Sequence, residues 1–270
     1  MSDQTLSLVR PRAAWRNYLP LFRFHYHSSF VGVLFGVLIV TRDWSGPLVL
    51  RISLLYLSLN VLLYGGLYTF NAITDADSDS RRPFKDSRPV ASGAVSRNAA
   101  GVFAAGLIIA GFVTGWAWLG LEVMPVYLLL FALNVSYSLL FRNLFLFDVI
   151  FNSATHPPRF WLGMSLAGGG FAWDWVALVF LFAVGMSASR RSVLLNQGSW
   201  ESRGPLAKYS TLNLFVIKVA ALSAIVLLWV VNQPSFQTPY IVTVCTYVVF
   251  VGGIEVVPRI RSAFETLWLR

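Results

Sequence analysis

Eight apolar blocks, each close to the length of a membrane-crossing helix, constrain this chain more than any other feature. They run approximately 26–41, 47–71, 99–118, 123–141, 147–168, 173–189, 211–232 and 239–257. A bilayer core about 30 Å thick takes about 20 apolar residues as a helix, and it offers no water to unpaired backbone groups. A chain built this way is therefore expected to fold all-α, as a polytopic membrane bundle of about eight transmembrane helices. The charged fraction is 12%, about half that of a soluble domain. Blocks one and six are near the short limit for a span.

Positive charge orients the blocks. With the N-terminus inside, the cytoplasmic segments hold 17 of the 21 Lys and Arg residues. Such a bias predicts both termini on the cytoplasmic side, in the cell inner membrane. Two long polar loops, approximately 72–98 and 190–210, then face the cytoplasm. Residues 1–270 read as one integral-membrane domain. The net charge of +9 fits loops facing anionic membrane lipids rather than nucleic acid. A single cysteine, Cys245, excludes an intramolecular disulfide framework and a cysteine metal cluster. Arg10, Arg12 and Arg16 interrupt the first residues, so no cleavable signal peptide is expected.

The chemistry concentrates at the end of the second block, in Asn71-Ala-Ile-Thr-Asp75-Ala-Asp77-Ser-Asp79. Asn71, Asp75 and Asp79 fall at i, i+4 and i+8 and so share one helix face. Acids this close repel unless a cation neutralises them, and an oxygen-only ligand set suits Mg²⁺ shared with substrate phosphates. Arg81, Arg82, Lys85 and Arg88 follow at once and suit phosphate oxygens. The plainer alternative is a polar helix end running into a solvated loop, with Asn71 as a C-cap. Arg159 lies inside the fifth block, where an arginine is costly and by default functional; pairing with Asp148 or snorkelling to an interface would also account for it. His156-Pro157-Pro158 is expected to break or kink that span. His25, His27 and His156 have no metal-ligand spacing, and Gly168-Gly169-Gly170 precedes no basic phosphate loop.

Asn71-x3-Asp75-x3-Asp79, followed by Arg88-Pro89-Val90-Ala91-Ser92-Gly93, resembles the first aspartate motif of the UbiA superfamily of intramembrane prenyltransferases. Arg23-x-His25 is similar, more loosely, to the start of that family's first helix. The resemblance implies a helical bundle around a central cavity, in which the motif holds Mg²⁺ and a donor diphosphate and a lateral opening admits the lipid chain. Three departures stand out. Ala72 replaces an acid, eight spans replace nine, and the second aspartate motif expected after the sixth span is missing. Loop 190–210 offers Arg190, Arg191, Asn196, Gln197, Glu201, Lys208 and Tyr209 instead.

One branch without the second motif, the decaprenyl-phosphate phosphoribosyltransferases, has similar details. They are Pro83-x-Lys85-x2-Arg88-Pro89, Asp148, Arg159-x3-Gly163, Ser189-Arg190 and Leu206-Ala-Lys-Tyr209-Ser210. The resemblance implies catalytic roles for Asp75, Asp79, Lys85 and Arg88, and metal binding by Asn71, Asp75 and Asp79. Substrate contacts fall to Asn71, Arg82, Arg159, Arg190, Arg191, Lys208 and Tyr209. The expected activity is Mg²⁺-dependent transfer from a diphosphate donor at the cytoplasmic face, with PRPP and a polyprenyl phosphate as the favoured pair. Prenyl transfer from a prenyl diphosphate lipid to an aromatic or other lipid acceptor remains open, as does terpene cyclisation. A transporter and an inactive homologue are the non-enzyme alternatives.

Overall fold

The computed structural model describes residues 14–81, 85–196, 208–232 and 238–269. Among them every regular element is helical. Seven helices among the described residues are long and apolar enough to cross a membrane. We label the elements α1 (Trp15–Val40), α2 (Gly46–Asp79), α3 (Arg97–Leu119) and α4 (Leu121–Phe141). Next come α5 (Phe147–Ala154) and α6 (His156–Leu166). The last four are α7 (Trp173–Asn196), α8 (Thr211–Asn232), α9 (Thr238–Val256) and α10 (Pro258–Leu269).

The expected span 147–168 is the one that is not continuous. It divides at Thr155 into α5 and α6, with Pro157 and Pro158 in the first turn of α6, where proline's missing N–H breaks no intrahelical bond. The N-terminal span also begins earlier than its hydropathy suggests. Three 3-10 turns cover Ala14–Asn17, Leu19–Phe22 and Phe24–Phe30 before regular helix starts at Val31, and Arg23 sits left-handed between the last two at φ 49°. Tyr18 and Leu21 anchor this entry against Ala72, Ala76 and Ala100. The α2 helix runs two turns past its apolar stretch, through Asp79, so part of the expected loop 72–98 is helix.

Side chains such as Val102, Ile109, Leu212 and Leu227 are apolar and well over half exposed. In water such a surface would aggregate; against lipid tails it is solvated, and the molecule is an integral, multi-pass membrane protein.

Helix packing depends on backbone approach rather than on a hydrophobic driving force, since lipid is as apolar as leucine. The broadest contact of α1 is with α6. A Cβ at Gly36 would lie 2.0 Å from the Phe160 carbonyl oxygen, and one at Gly163 would lie 1.9 Å from that of Val33. Gly163→Ala is therefore expected to lower stability by about 1–3 kcal/mol through overpacking, visible as an earlier thermal unfolding midpoint in detergent. An unchanged midpoint would show that the two helices can part at no cost.

Among the described residues three π-helical stretches interrupt the bundle: Tyr56–Leu63 in α2, Tyr137–Phe141 in α4 and Val248–Gly252 in α9. The α2 helix touches α1, α3, α4 and α6, so it stands at the centre of one half of the bundle and carries the acidic motif with it.

Candidate active site

Asn60, Tyr64, Tyr68, Asn71, Asp75 and Asp79 recur every three or four residues along α2 and share a face. That face meets α4 in three rungs. The Asn134 amide donates to the Tyr64 hydroxyl at 3.0 Å, the Ser138 hydroxyl donates to Asn71 Oδ1 at 2.5 Å, and Arg142 pairs with Asp75. Asn134, Ser138 and Arg142 stand at i, i+4 and i+8, the last at the cap just past the end of α4, so both helices contribute a polar stripe.

Asp79 is buried and accepts from Arg88 Nη1 at 2.8 Å. Arg88 is fixed by the turns that follow α2, where the Arg88 N–H donates to the Lys85 carbonyl and Ser92 N–H to the Arg88 carbonyl. Lys85 lies half-buried in this segment. Asp77 pairs with Arg97 on the exposed side, where an ion pair contributes little. Arg82 lies outside the described residues, as do Gln197 and Glu201.

Asp75 and Asp79 therefore face the same rim but each engages a separate arginine. Among the described residues no group of three or more His, Cys, Asp or Glu side chains is placed to hold a metal ion. What remains is two carboxylates and one amide oxygen, with neither sulfur nor imidazole. Such a set fits a hard divalent cation that completes its shell with water and phosphate oxygens.

Arg190 and Arg191 are adjacent on α7 and diverge. Arg191 is buried; its Nε donates to Asp148 Oδ2 at 2.6 Å and its Nη1 to the Ser187 carbonyl at 2.7 Å. The Tyr209 hydroxyl donates to the other Asp148 oxygen and accepts from the Leu146 N–H at 3.0 Å. Burial first, and then the Asp148 carboxylate, push the Tyr209 pKa upward, which keeps it protonated as a donor. Lys208 reaches the Asn143 carbonyl at 3.0 Å. Arg191, Tyr209 and Lys208 thus tie the end of α7 and the start of α8 to the α4–α5 connection. Arg190 lies instead near Tyr26 and His25 of α1, as do Arg23 and Arg88.

Arg159 does not pair with Asp148. It donates to the Thr155 carbonyl at 2.9 Å and lies 4.2 Å over the Tyr64 ring.

The profile of the UbiA prenyltransferase family matches residues 29–190, more than half of the chain. The chain belongs to the UbiA prenyltransferase family. It is accordingly a membrane transferase. Solved UbiA structures agree in fold. A UbiA homolog from Archaeoglobus fulgidus bound to GPP and Mg²⁺ aligns at 17% identity and TM-score 0.70, covering 94% of this chain and 95% of that one. The same homolog bound to DMAPP and Mg²⁺ gives 17% and 0.69 over the same shares. A structure of digeranylgeranylglyceryl phosphate synthase gives 16% and 0.66, covering 95% and 93%. At these identities the likeness is one of fold.

Sequence reasoning missed four residues that the structure brings to this candidate site: Asn134, Ser138, Arg142 and Tyr26. The first three carry a signal, since they repeat at helical spacing along the fourth span and its cytoplasmic end, where Arg142 counts among the cytoplasmic basic residues. Nothing in the sequence singles out Tyr26.

Proposed function

We propose that this UbiA-type protein transfers a 5-phosphoribosyl group from PRPP to a polyprenyl phosphate at the cytoplasmic face of the inner membrane, with Mg²⁺ as cofactor. The observation that carries the reading is the region of the missing second aspartate motif. There the described residues offer the Asp148–Arg191–Tyr209 network and the Arg190 side chain turned toward Tyr26. Arg190, for which the described residues show no carboxylate partner, suits an anionic substrate in that place, whereas a second acidic cluster would suit a second metal.

Asp75 and Asp79, with the Asn71 oxygen, would hold the divalent cation. When bound, that ion neutralises charge on the departing diphosphate. In the transfer, a phosphate oxygen of the acceptor bonds to the anomeric carbon while the carbon–oxygen bond to diphosphate breaks, and the diphosphate leaves with the electron pair. The acceptor is already an anion, so no base is required. Lys85, Arg88 and Arg190 would stabilise the leaving group; preorganised donors of this kind are worth about 3 kcal/mol each. Arg142 and Arg88, which hold the two carboxylates in the structure, become available to phosphate once those acids engage a metal. Ser138 orients Asn71. Arg191, Tyr209 and Lys208 act as positioning residues that keep Arg190 aimed inward.

Prenyl transfer is the second reading. The observation that favours it is the family itself, together with the Archaeoglobus fulgidus homolog solved with GPP and with DMAPP. The test is diphosphate release by purified protein in lipid with Mg²⁺. One reaction would contain PRPP and polyprenyl phosphate, and a parallel series prenyl diphosphates with and without aromatic acceptors. Release in the first alone is the expected result. Release confined to the second series would replace phosphoribosyl transfer by prenyl transfer or cyclisation.

A further inference from the structure

Arg159 is 3% exposed and has no carboxylate partner among the described residues, whereas Arg191, the other buried arginine at 8%, pairs with Asp148. Its Nη1 is engaged by Thr155, through the carbonyl at 2.9 Å and the hydroxyl at 3.2 Å. Its Nε is fully buried and has no hydrogen-bond partner. The charge is steered by the Tyr64 ring, 4.2 Å from the guanidinium carbon, and Tyr64 is itself held by Asn134. Tyr68 packs on Tyr64 with ring centroids 5.7 Å apart, and on Tyr26 at 5.6 Å. On the same α2 face, one turn beyond Tyr64, Asn60 is 2% exposed and its side-chain oxygen also lacks a partner.

A buried N–H donor without an acceptor is costly, and a buried unpaired guanidinium more so. The Tyr64 ring softens the charge but accepts nothing from Nε. The fork geometry of arginine matches the oxygens of a phosphate. Tyr64 precedes Asn71 by seven residues, which places Arg159 about two helical turns deeper than the Asn71 level. It is therefore separate from the rim where Asp75 and Asp79 lie.

We propose that Arg159 receives a phosphate monoester at the deep end of the polar interior, with the Tyr64 and Tyr68 rings walling it. The inference rests on the reading above of two phosphorylated substrates. It names the group recognised: the 5-phosphate at the far end of the donor, or the phosphate of the lipid acceptor.

Binding, independent of turnover, tests it. Wild-type protein and Arg159→Gln in lipid nanodiscs would be titrated with ribose 5-phosphate, with farnesyl phosphate, and with inorganic diphosphate plus Mg²⁺ as the probe of the rim. The expected result is at least a tenfold weakening for one monoester in the variant, with diphosphate affinity retained. Weakening of ribose 5-phosphate assigns the site to the donor, and weakening of farnesyl phosphate assigns it to the acceptor. Equal affinity of both proteins for both monoesters overturns the proposal, as does no binding of either to the wild type. Should Arg159→Gln not fold, Arg159→Lys keeps the charge without the planar fork. A several-fold loss is then expected, and no loss in Arg159→Lys overturns the proposal. Loss of monoester affinity in a protein that never turns over PRPP would leave the site and remove the proposed reaction; turnover without that loss would do the reverse.

Discussion

Asp75→Asn is expected to lower diphosphate release by about 10²–10³-fold or more, the scale of removing a preorganised electrostatic group from a transition state. Stability should barely change. The Asp75 side chain is 19% exposed and its partner Arg142 30%, so the variant leaves a guanidinium that water can reach, and ion pairs in contact with solvent contribute about 1 kcal/mol or less to folding. Turnover, thermal unfolding and helical content measured on one preparation separate the two effects. Full activity in a folded Asp75→Asn protein would remove the rim carboxylates from the mechanism.

Breaking the Asp148–Arg191 pair should give the opposite pattern. Both partners are buried, and Arg191 makes its remaining bonds to Ser187. Removing one member leaves the other charged and enclosed, a loss of about 3–5 kcal/mol. Asp148→Asn or Arg191→Met should therefore reduce the yield of folded protein and the unfolding midpoint sharply. Arg190→Gln, one residue away, should fold normally and lose turnover. A stable Arg191→Met protein that had lost only activity would reassign Arg191 from positioning to substrate contact.

The sequence made the long spans legible because a bilayer demands nearly the same thing of each: α3, α8 and α9 lie within two residues of the hydropathy blocks. It hid the first turns of α1, where Arg23 turns left-handed and two histidines follow in 3-10 geometry that no apolar count can detect. The acidic face of α2 was also legible, since i, i+4, i+8 spacing is a local property of a helix. Partner choice between helices is not local. Asp148 and Arg159 lie three helical turns apart in one apolar block and look like a pair. The break at Thr155 starts a new helix between them, and Asp148 finds Arg191 on α7 instead. The same logic hid Arg142, whose value depends on α4 running beside α2.

The π-helical stretch at Tyr56–Leu63 lies between two halves of α2 with different duties. Ile52 and Leu55 on the outer half pack into the hydrophobic core, whereas Asn71, Asp75 and Asp79 follow on the inner half. A π-turn holds an extra residue within a helix, and each residue of an α-helix advances about 100° around the axis. Deleting one residue there would leave the outer packing in phase and swing the entire acidic face through more than a quarter turn. The stretch works as a phase adjuster: it lets one continuous helix obey two angular registers, one set by its neighbours in the bilayer and one by the chemistry at its end.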